Sequence, residues 1–246
     1  MNILSMDSTA RAASVAVMTD ERITACFTAD VGQTHSEILL PMAEDACRVA
    51  SVALSDIDYY AVTVGPGSFT GVRIGVAAVK GLAFRYPEAD EPNCVAVSTL
   101  ESLAENLYGL DGILCAVMDA RRSEVYNALF RMENGTLTRL CPDRAISLRA
   151  LSEELLTLYK NEPIRLVGDG YDVAYPALTE AGASCPPTPA LLRLQSAASV
   201  ARCARRMILC GEVVTDRALS PVYLRLPQAE RERLERERLE SVAKAK

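Results

Sequence analysis

Three short stretches carry side chains of a type and spacing that could do chemistry. The first is Asp7-Ser8-Thr9, where an apolar run from Asn2 to Met6 ends. A carboxylate beside two hydroxyls at a strand end can meet the metal and phosphates of a nucleotide, and the same residues equally make a turn whose short polar side chains satisfy backbone donors. The second is Gly65-Pro66-Gly67-Ser68-Phe69-Thr70-Gly71. It lacks both the Gly-Lys-Ser/Thr ending and the Gly-x-Gly-x-x-Gly spacing of phosphate loops, and Pro66 removes an amide donor. A tight strand-to-helix turn in which the glycines supply unusual φ values explains it as well. The third is Asp119-Ala120-Arg121-Arg122-Ser123. A phosphate-gripping hairpin wants glycine there, so that backbone amides can approach the anion, and this one has none.

Metal and nucleophile chemistry are more sharply bounded. The chain has a single histidine, His35, and its neighbour one helical turn on is Leu39, so no paired imidazoles can hold a cation. A Ser-His-Asp triad would have to use His35 at a helix start, where a surface or helix-end role is the simpler reading. Eight cysteines, at 26, 47, 94, 115, 141, 185, 203 and 210, include no Cys-x-x-Cys pair. Zinc and thioredoxin-like spacings therefore fail, leaving buried, reduced, small apolar side chains in a cytoplasmic protein. The formal charge of -6 provides no basic field for independent nucleic-acid binding. The nearest thing to a basic cluster, Arg202, Arg205 and Arg206, reads as a solvated helix face. The first residues show neither a basic leader region nor a long apolar run, and no membrane span is expected.

The elements that must position these residues follow from periodicity. Strands are expected over 2–6, 13–18 and 23–27, with a helix of about five turns from His35, opened by a Thr34-x-x-Glu37 capping box. A strand over 59–64, the glycine turn, a helix over 72–84, a strand over 93–97 and a helix opened by Ser98-x-x-Glu101 complete the order β-β-β-α-β-α-β-α by residue 108. A second unit echoes it: strands over 113–118, 125–130 and 137–140, a helix capped by Ser147, a strand over 164–167, a stiff Pro186-Pro187-Thr188-Pro189 connector and a helix over 196–209. Residues 1–108 and 109–226 then form two subdomains, with the helix at 196–210 free to turn back on the first. Residues 227–246 form a charged tail with charge pairs for a helix but little to bury. Two such mixed-sheet units of ribonuclease H-like topology point to the α/β architecture shared by actin, Hsp70 and sugar kinases (ASKHA), in which phosphate sits between the domains.

The helix after the glycine turn is apolar nearly all round, interrupted by Arg73 and Lys80, and Gly75, Ala77, Ala78 and Gly81 permit close helix approach. Such a helix is covered on more than one side, either by its own domain or by a partner.

Taken together, Met6-Asp7-Ser8-Thr9, the stretch from Gly65 to Gly75, Met118-Asp119-Ala120-Arg121-Arg122-Ser123-Glu124-Val125-Tyr126 and Pro221-Val222-Tyr223-Leu224-Arg225 resemble the TsaB (YeaZ) family. The resemblance implies an actin-like/Hsp70-like fold that lacks the metal-binding histidine pair of the catalytic relative, TsaD, and has no catalytic residue of its own. It implies a partner subunit for threonylcarbamoyl transfer to N6 of the adenosine beside the tRNA anticodon. Such a subunit pairs with TsaD, is joined by the ATPase TsaE, meets tRNA only through the complex and forms homodimers alone. No tightly bound cofactor is implied, ATP and ADP being used by the partner complex. On that reading Leu39, Met42, Ala43, Ala46, Val49, Val72, Val76, Val79 and Ala83 form the partner surface. The loop Gly65, Pro66, Gly67, Ser68, Phe69, Thr70, Gly71 with Arg73 shapes its edge, and Asp7, Ser8 and Thr9 line a vestigial nucleotide cleft. The rival reading is an autonomous ATP-dependent kinase or hydrolase that uses Asp7 to direct a metal.

Overall fold

The computed structural model describes residues 1–32, 34–84, 91–225 and 236, so the charged tail lies outside the described residues apart from Arg236. The first unit comprises β1 (Asn2–Asp7), β2 (Ala13–Thr19), β3 (Arg22–Ala29), α1 (His35–Ala50), β4 (Tyr59–Thr63), α2 (Phe69–Ala83), β5 (Cys94–Val97) and α3 (Thr99–Glu105). The second comprises β6 (Gly112–Asp119), β7 (Glu124–Glu133), β8 (Thr136–Arg139), β9 (Arg144–Ser147), α4 (Leu148–Leu158), β10 (Ile164–Val167), α5 (Tyr171–Glu180) and α6 (Ala197–Leu209).

The first sheet has the order β3-β2-β1-β4-β5, with β1 antiparallel to β2 and parallel to β4. The second repeats the plan as β8-β7-β6-β10, with β6 antiparallel to β7 and parallel to β10, and β9 added against β7. Two mixed sheets of ribonuclease H-like order make this the actin-like/Hsp70-like fold. Strand β9 and helix α5 were not anticipated from the sequence. β9 is only four residues long, and α5 carries Pro176 at its sixth position, where a proline removes an interior hydrogen bond and argues against a helix in the sequence.

Local signals mostly act as expected. Ser98 Oγ accepts from Glu101 N and Ser147 Oγ from Ala150 N, while Ser68 caps α2 by accepting from Gly71 N. Thr34 is a correction, since its side chain makes no cap bond and Glu37 N donates instead to the Thr34 carbonyl.

Side chains from α1 and α2 cover one face of the first sheet, and α6 covers the other, burying Val200, Ala201, Cys203 and Ala204 against Ile3, Ala61, Val95 and Val97. Helices α4 and α5 cover the outer face of the second sheet. Its inner face is covered by α3 and the turn after it, whose Leu100, Leu103, Ala104 and Leu107 meet Leu114, Ala116 and Phe130. Each fully buried large aliphatic side chain contributes roughly 1.5–3 kcal/mol. The packing thus crosses residue 108 in both directions: a helix from each unit serves the other's sheet.

Where α3 meets α6, the buried Glu105 accepts from Arg202 Nε and Arg206 Nη1, both at 2.7 Å. Arg205 pairs with Glu21. The three arginines are therefore structural ion-pair members rather than a freely solvated face. Among the cysteines, Cys47, Cys94, Cys115 and Cys203 are buried, whereas Cys26 and Cys210 are exposed, and all eight are free thiols. No helix among the described residues is long and apolar enough to cross a membrane.

Candidate functional site

The strand ends, the glycine turn and the β6–β7 hairpin come together around a 610 Å³ cleft lined by Thr9, Gly67, Phe69, Asp119, Arg121 and Asp169, among others. Asp7 closes β1 beneath it and is fully buried. Its Oδ1 accepts from Thr9 N at 2.8 Å and Thr9 Oγ1 at 2.7 Å, and its Oδ2 has no partner among the described residues. Burial pushes the carboxyl up to about 6, against the opposing pull of the Thr9 hydrogen bonds. Asp169 is likewise raised to about 6, first by burial and then by the nearby charges of Asp119 and Asp7.

Ser8 Oγ donates to the Gly71 carbonyl and Ser68 N to the Thr9 carbonyl at 2.7 Å, so the 7–9 turn and the glycine turn are latched to each other. The glycines are needed for this approach. A Cβ at Gly67 would stand 2.5 Å from Thr9 O, one at Gly71 would overlap Ser8 O, and one at Gly75 would stand 2.6 Å from Ser8 Oγ. Of the three turn glycines only Gly65 has a positive φ, 120°. Unusual φ values therefore explain one glycine, and close backbone contact explains the others. Two of the loop's amide donors, Ser68 N and Gly71 N, are engaged inside the joint.

The β6–β7 turn reaches its shape without glycine. Arg121, Arg122 and Ser123 all take left-handed φ values, 63°, 56° and 57°. Arg121 N donates to Asp119 Oδ1, Glu124 N to Arg121 O and Leu148 N to Ser123 O, which together hold the unfavourable backbone in place.

The segment 221–225 straps the two units across the cleft mouth. Val222 N donates to Val64 O, and Tyr223 lies 4.8 Å from Phe69, centroid to centroid. Arg73 stacks 3.8 Å over Phe69 while its Nε donates to Tyr223 Oη. On the other side Arg225 donates to the Ala120 carbonyl and pairs with Glu124. This explains why the four segments that carried the family resemblance are far apart in sequence: they meet here.

Helices α1 and α2 lie beyond the latch, and most of the side chains read as a partner surface do not face outward. Leu39, Ala43, Ala46, Val72, Val76, Val79 and Ala83 are buried in the chain's own core, Met42 is half-buried, and only Val49, 54% exposed, faces outward freely. The reason is the apolar stripe itself, which at helical spacing is the face that covers the first sheet. The exposed apolar positions are Leu40 and Val49 on α1 and Ala77 and Gly81 on α2, followed by Phe84 at 66% exposure, while Ile74, Ala78 and Leu82 beside them are half-buried against the core. Of the α2 glycines Gly71, Gly75 and Gly81, only at Gly81 does no atom of the described residues outside the helix's own backbone lie within 4 Å of where a Cβ would be. His35 is partly buried and ties α1 to the 8–11 turn, with Nδ1 3.1 Å from Ser8 O and Nε2 3.2 Å from Arg11 O.

Comparison with known proteins agrees with this geometry. Residues 29–219 match the family described as TsaD, tRNA N6-adenosine threonylcarbamoyltransferase. The Escherichia coli tRNA threonylcarbamoyladenosine biosynthesis protein TsaB is 32% identical, over 92% of this chain and 95% of its own. The Bacillus subtilis TsaB is 33% identical over 68% of this chain and 71% of its own. The solved structure of YeaZ from Pseudomonas aeruginosa superposes with a TM-score of 0.72 at 29% identity, over 91% of this chain and 99% of that one. With near-complete coverage by a TsaB and by a YeaZ structure, the chain belongs to the TsaB (YeaZ) family of tRNA threonylcarbamoyladenosine biosynthesis proteins.

Proposed function

We propose that this chain is the non-catalytic partner subunit for threonylcarbamoyl transfer to N6 of the adenosine beside the tRNA anticodon. It pairs with a TsaD-like catalytic subunit through the outer faces of α1 and α2, a TsaE-like ATPase joins the pair, and tRNA is met only through the complex. ATP and ADP are used by that complex and none is tightly held by this chain, which pairs with itself when alone. The observation that carries the reading is Gly81. Glycine costs a helix about 1 kcal/mol relative to alanine, and none of the described residues claims the space above it. Together with Ala77 one turn before, it leaves a shallow seat flanked by Ile74, Leu82 and Phe84, suited to a closely approaching helix.

The test separates association from folding. Gly81→Ala should raise stability by about 0.5–1 kcal/mol. Gly81→Arg should unfold at nearly the wild-type denaturant midpoint yet fail to copurify with the TsaD-like subunit and fail to support tRNA modification in a reconstituted mixture. Intact copurification of Gly81→Arg would remove α2 from the interface. ATP turnover by the chain alone, lost on Asp7→Asn, would establish the autonomous phosphotransferase instead, for which the cleft is large enough.

A further inference from the structure

The edge of a β-sheet presents a row of unpaired amides and carbonyls that another strand can meet, so it is ordinarily covered or blunted. Three of the four sheet edges here are dealt with by the chain itself. Cys94 on β5 exchanges both backbone hydrogen bonds with Val214. Along β10, Ile164 N donates to Ser184 O and Thr188 Oγ1 to Leu166 O, so the proline-rich connector covers that side. The far side of β7 is taken by β8 and β9, only four residues each. β3 is the exception. It is eight residues long, uncharged from Ile23 to Ala29, free of proline and lysine, and has no strand on its outer side among the described residues. Its one irregularity is the bulge at Thr24, between the pairs Met18–Ile23 and Val17–Ala25.

The pairing with β2 fixes which backbone groups are free. Phe27 O accepts from Ser14 Oγ on the β2 side, and antiparallel pairing alternates, so the amides and carbonyls of Cys26 and Thr28 point away from β2. A second β3 laid antiparallel about a two-fold axis at Cys26 meets them with the same groups. In that register Cys26 faces its own copy, Thr24 faces Thr28, and Arg22 faces Asp30 at both ends, a cation opposite an anion. Arg22 is exposed and has no ion pair among the described residues, while Asp30 uses Oδ1 for Arg11 Nε and has Oδ2 to spare. Moving the axis to Ala25 or to Phe27 sets Arg22 against Thr28 or Gly32 and undoes the match.

We propose that β3 is an interaction surface for a second copy of this chain, pairing edge to edge so that the two first sheets become one, in the register that sets Arg22 against Asp30. The inference does not rest on the partner reading, because the surface is a strand edge separate from the outer faces of α1 and α2.

The test uses the full-length chain, with and without Gly81→Arg. Sedimentation velocity should show a concentration-dependent dimer that Gly81→Arg leaves intact, forming at about 10–100 µM because a strand edge buries little area. Arg22→Glu and Asp30→Lys should each weaken it about tenfold, since like charges then meet at both ends. An equimolar mixture of the two variants should restore it, since opposite charges face each other again. A second readout uses Cys26, which is exposed. Directly opposed residues of a hydrogen-bonded antiparallel pair have Cα atoms about 5.5 Å apart, within disulfide range. In a Cys210→Ser background, diamide, which takes up the two electrons and two protons released by a pair of thiols, should therefore give a disulfide-linked dimer, and Cys26→Ser should abolish it. The proposal is overturned by a chain that stays monomeric up to about 1 mM, by a dimer that Gly81→Arg abolishes, by a dimer that both charge variants leave unchanged or that their mixture fails to restore, or by the absence of a Cys26-dependent dimer under diamide.

Discussion

The two units end their first strands in the same way and then diverge. Asp7 closes β1 and accepts from the amide two residues on, that of Thr9; Asp119 closes β6 and accepts from the amide of Arg121 in the same pattern. After the parallel strand each unit places glycines against that strand end, Gly67 and Gly71 on Thr9 and Ser8 in one, Gly168 and Gly170 on Val117 and Met118 in the other. Yet Asp7 is sealed beneath the glycine turn and α2, whereas Asp119 is exposed. The local turn chemistry is shared, and what is laid over it decides whether the carboxylate is a buried liability or an ordinary surface charge.

The largest effect expected from breaking this contrast belongs to the seal. Gly71→Ala forces a methyl group into the Ser8 carbonyl and should cost about 3 kcal/mol, the upper end for overpacking, read as a shifted urea midpoint.

Next comes the carboxylate. Because the folded value for Asp7 lies above its ordinary 3.8, this group costs nothing well below pH 4. Its penalty grows as pH rises from about 4 through about 6, to at most about 3 kcal/mol above that. Asp7→Asn, which keeps the acceptor for Thr9, should therefore raise stability at pH 7.5 and flatten the profile between pH 4 and 6. The part that remains is due to Asp169. Asp119→Asn should change stability by no more than about 0.5 kcal/mol. Equal responses from Asp7 and Asp119 would erase the distinction drawn between the two strand ends.

The smallest effect is at the glycine-free turn. Arg122→Gly should gain about 0.5–1 kcal/mol by relieving a left-handed residue, net of the entropy that glycine loses on folding. A loss in thermal melting would mean that the arginine side chain does something there that outweighs its backbone strain.

Most of the fold was legible in the sequence because β-branched runs and helical stripes recur strongly in both units, and because Ser98 and Ser147 announce their helices. The latch was half legible: Gly65 to Gly71 read correctly as a turn, but only three dimensions reveal that Gly67 and Gly71 serve close contact. The apolar helix α2 was read as covered on more than one side, and the stripe assigned to a partner is the one that covers the chain's own first sheet. The larger residues Val72, Val76 and Val79 mark the inward face. The small pair Ala77 and Gly81, four apart, marks the exposed face of the helix, and no described residue lies close above Gly81.

The exchange of helices between the sheets has a consequence for how the molecule is made. A ribosome that has just released β5 has produced a complete five-stranded sheet whose face at Ile3, Ala61, Val95 and Val97 is still bare, and α6 is not translated until about a hundred residues later. During that interval α3 in turn waits for strands that do not yet exist. Neither half can mature before its sibling, so the nascent chain must carry uncovered oily surface until synthesis is nearly over, and a stop codon near residue 108 would leave an aggregating fragment rather than a smaller working protein.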